Sequence, residues 1–110
     1  MTKVEAAHKG DALCALTVSG HTGYAEAGED LVCAAVSAIV QTAMLGIRAY
    51  APDASIKVDE EEAIISISLT DLDNVSAQAI LQTALMGLED IAAGMPQYVK
   101  VLHKNRRWKA

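Results

Sequence analysis

Asp30-Leu31-Val32-Cys33-Ala34-Ala35-Val36-Ser37-Ala38-Ile39-Val40-Gln41-Thr42-Ala43-Met44-Leu45-Gly46-Ile47 is the stretch that decides the fold. Asp30 suits a helix N-cap, and nothing before Pro52-Asp53 stops the helix it would open. The spacing therefore predicts a helix from Asp30 to about residue 50. Few positions in it are polar. A helix apolar nearly all round is covered on more than one side. A sheet would cover one side, and a second helix or a second subunit the rest.

The flanking sequence supplies that sheet. Residues 3 to 8 and 12 to 19 read as strands around a Lys9-Gly10-Asp11 turn. In the second strand Cys14, Leu16 and Val18 alternate with Leu13, Ala15, Thr17 and Ser19, so the first three are expected on one face. Gly20 to Gly28, with its glycines and small residues, reads as a loop. Beyond Pro52, Ser55–Val58 and Ala63–Leu69 flank the acidic run Asp59-Glu60-Glu61-Glu62 and predict a hairpin. Asp71 or Asp73 would cap a second helix ending near Gly94, ahead of Pro96, and Tyr98–Leu102 would be a final strand. The order ββαββαβ predicts an α+β domain with two helices on a mainly antiparallel sheet. Residues 1–103 would form this single domain, with 104–110 a basic tail.

Composition narrows the function classes. A chain of 110 residues suits one domain with a modest core of Ala, Val, Ile, Leu and Met, since it has no Phe. Small side chains bury little area each, which favours a homodimer. The net charge of −5 argues against a nucleic-acid surface and suits a basic partner. The first residues do not resemble a signal peptide, and no apolar run is expected to reach the ~20 residues of a membrane span. With two cysteines and no export signal, reduced thiols and a cytoplasmic location are the expectation. His8 and His103 have no partners at metal-ligand spacing, so no metal or other cofactor is assigned.

The chemistry concentrates between the second strand and the first helix. His21 stands in the glycine-punctuated loop, and Cys33 follows at the start of the helix. A thiol acts as a nucleophile only as thiolate. Backbone N–H groups of a first helical turn favour an anion, and an imidazole can take the proton. Ser37, one turn after Cys33, could hydrogen-bond the sulfur or the histidine, or bond back to its own helix. Taken on chemistry alone, a cysteine in an Ala/Val-rich helix is more often a small buried hydrophobe. Cys14, between strand apolars, is expected in the core, and Asp59–Glu62 at a solvated turn.

The positions Gly20, His21, Gly28, Asp30, Val32, Cys33, Ala34, Ala35 and Ser37 resemble the motif of the ribosomal-processing cysteine protease family, Prp. That family has Gly-His-Ala, a short glycine-containing loop and Asp-x-Val-Cys-Ala-Gly/Ala-x-Ser. Ala79-Ile80-Leu81-Gln82-Thr83-Ala84-Leu85 is similar to its second helix, and Thr22 departs from its alanine. The resemblance implies Cys33 as nucleophile and His21 as base, with Asp30 and Ser37 as possible support. It implies a substrate as well: the N-terminal extension of the twenty-seventh protein of the bacterial large ribosomal subunit. Thr22, Gly23, Tyr24 and Gly28 would belong to a substrate loop that closes on binding. Two other classes stay open: a non-enzymatic dimer binding a ribosomal or other basic protein, and a thiol redox sensor using Cys33.

Overall fold

The structure, a computed structural model, describes residues 1–20 and 27–105, and for residues 27–30 the backbone only. Five strands and two helices follow in the predicted order: β1 (Thr2–Lys9), β2 (Ala12–Ser19), α1 (Ala27–Tyr50), β3 (Ser55–Asp59), β4 (Ile64–Ser68), α2 (Val75–Gly94) and β5 (Val99–Asn105). The strands form one sheet in the order β3-β4-β2-β1-β5. All neighbours are antiparallel except β1 and β5, which run parallel. The first hairpin turns at Gly10, whose φ of 61° lies in the left-handed region that glycine enters without a Cβ penalty.

Both helices pack on the same face of the sheet. From α1, Val32, Val36, Val40, Ala43, Met44 and Ile47 are buried, a stripe at helical spacing. From α2, Ala77, Leu81, Ala84, Leu85 and Leu88 do the same. They meet Val4, Ala6, Leu16, Val18, Ile67 and Val99 of the strands. The helices approach each other at glycines: a Cβ on Gly46 would stand 3.1 Å from Ile80, and one on Gly87 3.3 Å from Ile39.

Several expectations need correction. α1 begins at Ala27, so Ala27 and Gly28 are helical, Asp30 is not the N-cap, and Cys33 lies in the second turn. α2 is capped by Asn74 rather than Asp71 or Asp73. The Asn74 side chain accepts from the Ala77 N–H at 3.0 Å and donates to the Tyr50 carbonyl at 2.9 Å, joining the start of α2 to the end of α1. Asp71 instead accepts from the Asp73 N–H at 3.0 Å, shaping the turn before the cap. β5 runs to Asn105, two residues into the segment read as a tail, and Lys104 in it reaches Glu5 at 3.3 Å. Lys3, at 3.0 Å, and then Lys104 hold the Glu5 carboxyl below its ordinary range.

The apolar run is also longer than expected. Leu31–Tyr50 is 20 residues with a mean hydropathy of 1.7, long and apolar enough by composition to cross a membrane. Part of that hydropathy is the buried stripe against the sheet, while Leu31 and Leu45 of the same run are exposed. Two-residue alternation in β2 fails at one place. Ala7 pairs with Ala15 but His8 with Leu13, so Cys14 is the extra residue of a bulge. The bulge turns Leu13 into the same core as Leu16 and Val18. It also lifts the Leu13 peptide groups off regular pairing. Gln78 of α2 satisfies both, accepting from the Leu13 N–H and donating to its carbonyl, each at 2.9 Å.

Gln78 should therefore matter more than its surface neighbours. Gln78→Leu leaves a buried donor and acceptor unpaired and should destabilise the fold by about 2–4 kcal/mol, at roughly 1–3 per orphaned group. Gln82→Leu, which breaks no backbone bond, should stay within about 1 kcal/mol. Urea unfolding of the two variants compares them. Equal midpoints would refute this account of the bulge.

Candidate active site

Cys33 is brought to its place by the valine stripe beside it. With Val32, Val36 and Val40 on the sheet, the adjacent row Cys33, Ser37 and Gln41 faces a groove between α1 and the β3–β4 hairpin. The groove has a volume of about 390 Å³ and takes in the sheet ends at Thr2, Ser19 and Gly20. Its far wall includes Val58, Asp59, Glu60 and Ile64. Cys33 is half-buried there, whereas Cys14 is buried in the core; both are free thiols.

The Thr2 side chain lies directly against the sulfur, with Oγ1 3.3 Å from Cys33 Sγ. Thr2 opens β1 on its helix-facing side, in series with the buried Val4 and Ala6. Its N–H donates to the Tyr98 carbonyl at 2.8 Å, and it stands opposite Val99 in the parallel pair. This neighbour was missed in the sequence, though a polar residue on the core face of a strand was the available signal.

Gly20 closes the same corner. Its φ is 144°, and a Cβ there would stand 2.7 Å from the Met1 carbonyl oxygen and 2.8 Å from the Thr2 Cα. Glycine is required by both the backbone angle and the close approach. The chain therefore leaves the sheet for His21 beside the residue that touches Cys33. His21, Thr22, Gly23 and Tyr24 lie outside the described residues, and with them the loop proposed to close on substrate. The structure places Ser37 in the exposed row of α1 one turn from Cys33. Asp30 is brought no nearer the helix end than its fourth residue. A second-turn N–H is spent inside the helix, so the first-turn anion site expected at Cys33 does not coincide with it.

The acidic hairpin is solvated, as expected, but it also borders the groove. Asp59 accepts from the Glu62 N–H at 3.0 Å within the turn. Away from the groove, the parallel β1–β5 pairing brings two distant histidines together. His8 Nε2 and His103 Nδ1 are 2.8 Å apart, and His103 Nε2 is 2.8 Å from Glu89. Among the described residues, no three potential ligands gather to hold a metal ion.

This geometry can be compared with known proteins. A family model described as cysteine protease Prp matches residues 1–100. A ribosomal processing cysteine protease Prp of Mycoplasma pneumoniae is 37% identical over 86 residues, 76% of this chain and 81% of that protein. Two crystal structures of the essential ribosomal processing protease Prp from S. aureus superpose closely. The one with a substrate peptide has a TM-score of 0.87 at 25% identity, covering 94% of this chain and 100% of that one. The one with a covalently linked product peptide has a TM-score of 0.83 at 26% identity, with the same coverage.

The different burial of the two thiols has a direct consequence. Under limited iodoacetamide treatment of the folded protein, Cys33 should be alkylated at least tenfold faster than Cys14, roughly the protection a buried thiol gains when it reacts only through opening. Peptide mass spectrometry reads both sites. Equal labelling would contradict the placement of Cys33 on an open groove.

Proposed function

The chain belongs to the cysteine protease Prp family, and on that premise we propose that it removes the N-terminal extension of a ribosomal protein, the twenty-seventh of the bacterial large subunit. The observation that carries this reading is the Cys33 thiol, half-exposed on an open groove inside the family's motif. A peptide laid along the groove would pass between the Cys33–Ser37–Gln41 row and the β3–β4 hairpin. Relatives named for ribosomal processing, one of them holding a substrate peptide, support the same class of substrate. A ribosomal protein is also a basic partner, which suits a chain of net charge −5 with Asp59 and Glu60 at the groove.

In this reading His21 takes the Cys33 proton, and the sulfur attacks the scissile carbonyl carbon. The tetrahedral intermediate collapses as His21 returns the proton to the leaving amine. The mature ribosomal protein departs, and the extension remains as a thioester on Cys33. Water, deprotonated by His21, then hydrolyses the thioester and restores the thiol. Ser37 would support the pair from the next turn. Such a substrate would place the work in the cytoplasm, with both thiols reduced.

Cys33→Ala should abolish cleavage of an extension peptide while circular dichroism stays native, because only a sulfur at a groove surface is removed. His21→Ala should lose a factor of about 10² or more in kcat, the usual contribution of a positioned base. Full activity of the Cys33 variant would sink the protease assignment.

We also infer a homodimer. Leu31, Leu45, Tyr50 and Met86 are exposed on the outer faces of the helices. Between them α1 and α2 leave an apolar groove of about 730 Å³ along Ile39, Gly46 and Ile80. A second copy would cover what the sheet leaves bare. Light scattering at micromolar concentration should report about twice 11.6 kDa; a monomer would refute it.

A further inference from the structure

We propose that Thr2 is a positioning residue for the nucleophile, its hydroxyl donating a hydrogen bond to the Cys33 thiolate from the buried side of the sulfur. The inference rests on the reading of Cys33 as nucleophile. It goes further by assigning a residue outside the cysteine–histidine motif to the same chemistry.

Among the described residues, Thr2 is the one polar side chain classed with the buried core, at 5% exposure. Its strand neighbours on that face, Val4 and Ala6, are fully buried and apolar. Packing alone would place valine here, which has nearly the same shape and no hydroxyl to desolvate. The hydroxyl is nevertheless retained and aimed at sulfur, 3.3 Å away. A β-branched side chain is restricted about χ1, which limits the directions Oγ1 can take from this backbone. That backbone is held on the β5 side, opposite Val99 and with the Thr2 N–H on the Tyr98 carbonyl, and the pairing with β2 begins at the next residue, Lys3. Oγ1 thus stands against the sulfur with no substrate present.

The hydroxyl interacts unequally with the two states of the sulfur. A neutral thiol is a weak donor and a weak acceptor. A thiolate only accepts, and a donor to a charged acceptor forms a bond about twice as strong as a neutral one. Thr2 thus favours the thiolate. Thr2 approaches the sulfur from the sheet end of the groove that both residues line. This assigns to Thr2 part of the anion stabilisation that the second-turn position of Cys33 does not draw from the helix end.

The test is the pH dependence of Cys33 alkylation in the full chain, resolved by peptide mass spectrometry, for wild type, Thr2→Val and Thr2→Ser. Thr2→Val should raise the midpoint of the profile by about one pH unit, the scale of one charge-assisted hydrogen bond. Well below the midpoint its rate should fall about threefold, because a roughly tenfold loss of thiolate is partly offset by a more nucleophilic sulfur. Thr2→Ser should keep the wild-type midpoint. With an extension peptide, Thr2→Val should lower kcat and leave KM unchanged. Should Thr2→Val fail to fold, Thr2→Ala carries the same expectation. A midpoint unmoved by loss of the hydroxyl, or moved equally by Thr2→Ser, overturns the proposal. A chain that cleaves peptide with an unmoved midpoint refutes Thr2 alone. A chain that cleaves nothing yet shows the Thr2-dependent shift refutes the protease reading and keeps the hydrogen bond.

Discussion

The packing of one valine row onto the sheet fixes nearly everything else in this molecule. Val32, Val36 and Val40 recur at four-residue spacing and are each at most 5% exposed. Once they face the strands, the rotation of α1 is set. The row one residue on, Cys33, Ser37 and Gln41, then looks into the groove beside the β3–β4 hairpin. A helix turned by one position would send Cys33 into the sheet and Ala34 into the groove. The core and the placement of the Cys33 thiol are thus two consequences of one burial term, worth roughly 1.5–3 kcal/mol for each large aliphatic side chain.

The sheet contributes the second fixed point. β1 lies in the interior of the sheet, between β2 and β5, although it begins the described chain. Residue 2 is therefore buried, with its N–H on the Tyr98 carbonyl. Its hydroxyl meets the thiol, and Gly20 passes close over it on the way to His21. Three segments far apart in sequence converge on one corner, and each is held by a different constraint. Main-chain pairing holds Thr2, helix rotation sets Cys33, and a glycine-only approach permits the exit of β2.

The outer surface of the helices answers to a different requirement. Small residues and glycines let α1 and α2 approach closely, and this leaves a shallow apolar trough instead of a closed wall. A chain without Phe has few side chains large enough to close it. Leu45 and Met86 stay exposed on the helices that border it.

Hydrophobic periodicity and turn residues determined the element order, the two-helix face and the acidic hairpin, because these depend on residues near one another in the chain. The motif around Cys33 likewise pointed to the thiol that the structure leaves half-buried on a groove, since its spacing is local. Boundaries were less legible. Asp30, Asp71 and Asp73 are all good caps by type, yet α1 begins before Asp30, and α2 is capped by Asn74, which also donates to the Tyr50 carbonyl. The bulge at Cys14 escaped a strict two-residue alternation, since it is stabilised by Gln78 from a distant helix. Thr2 against Cys33 and His8 against His103 were settled by the tertiary structure alone. Both contacts need the interior place of β1, and His8 with His103 needs its parallel pairing to β5 besides; strand order is decided by which long-range arrangement buries the most apolar surface, a sum over the whole chain that no local stretch contains.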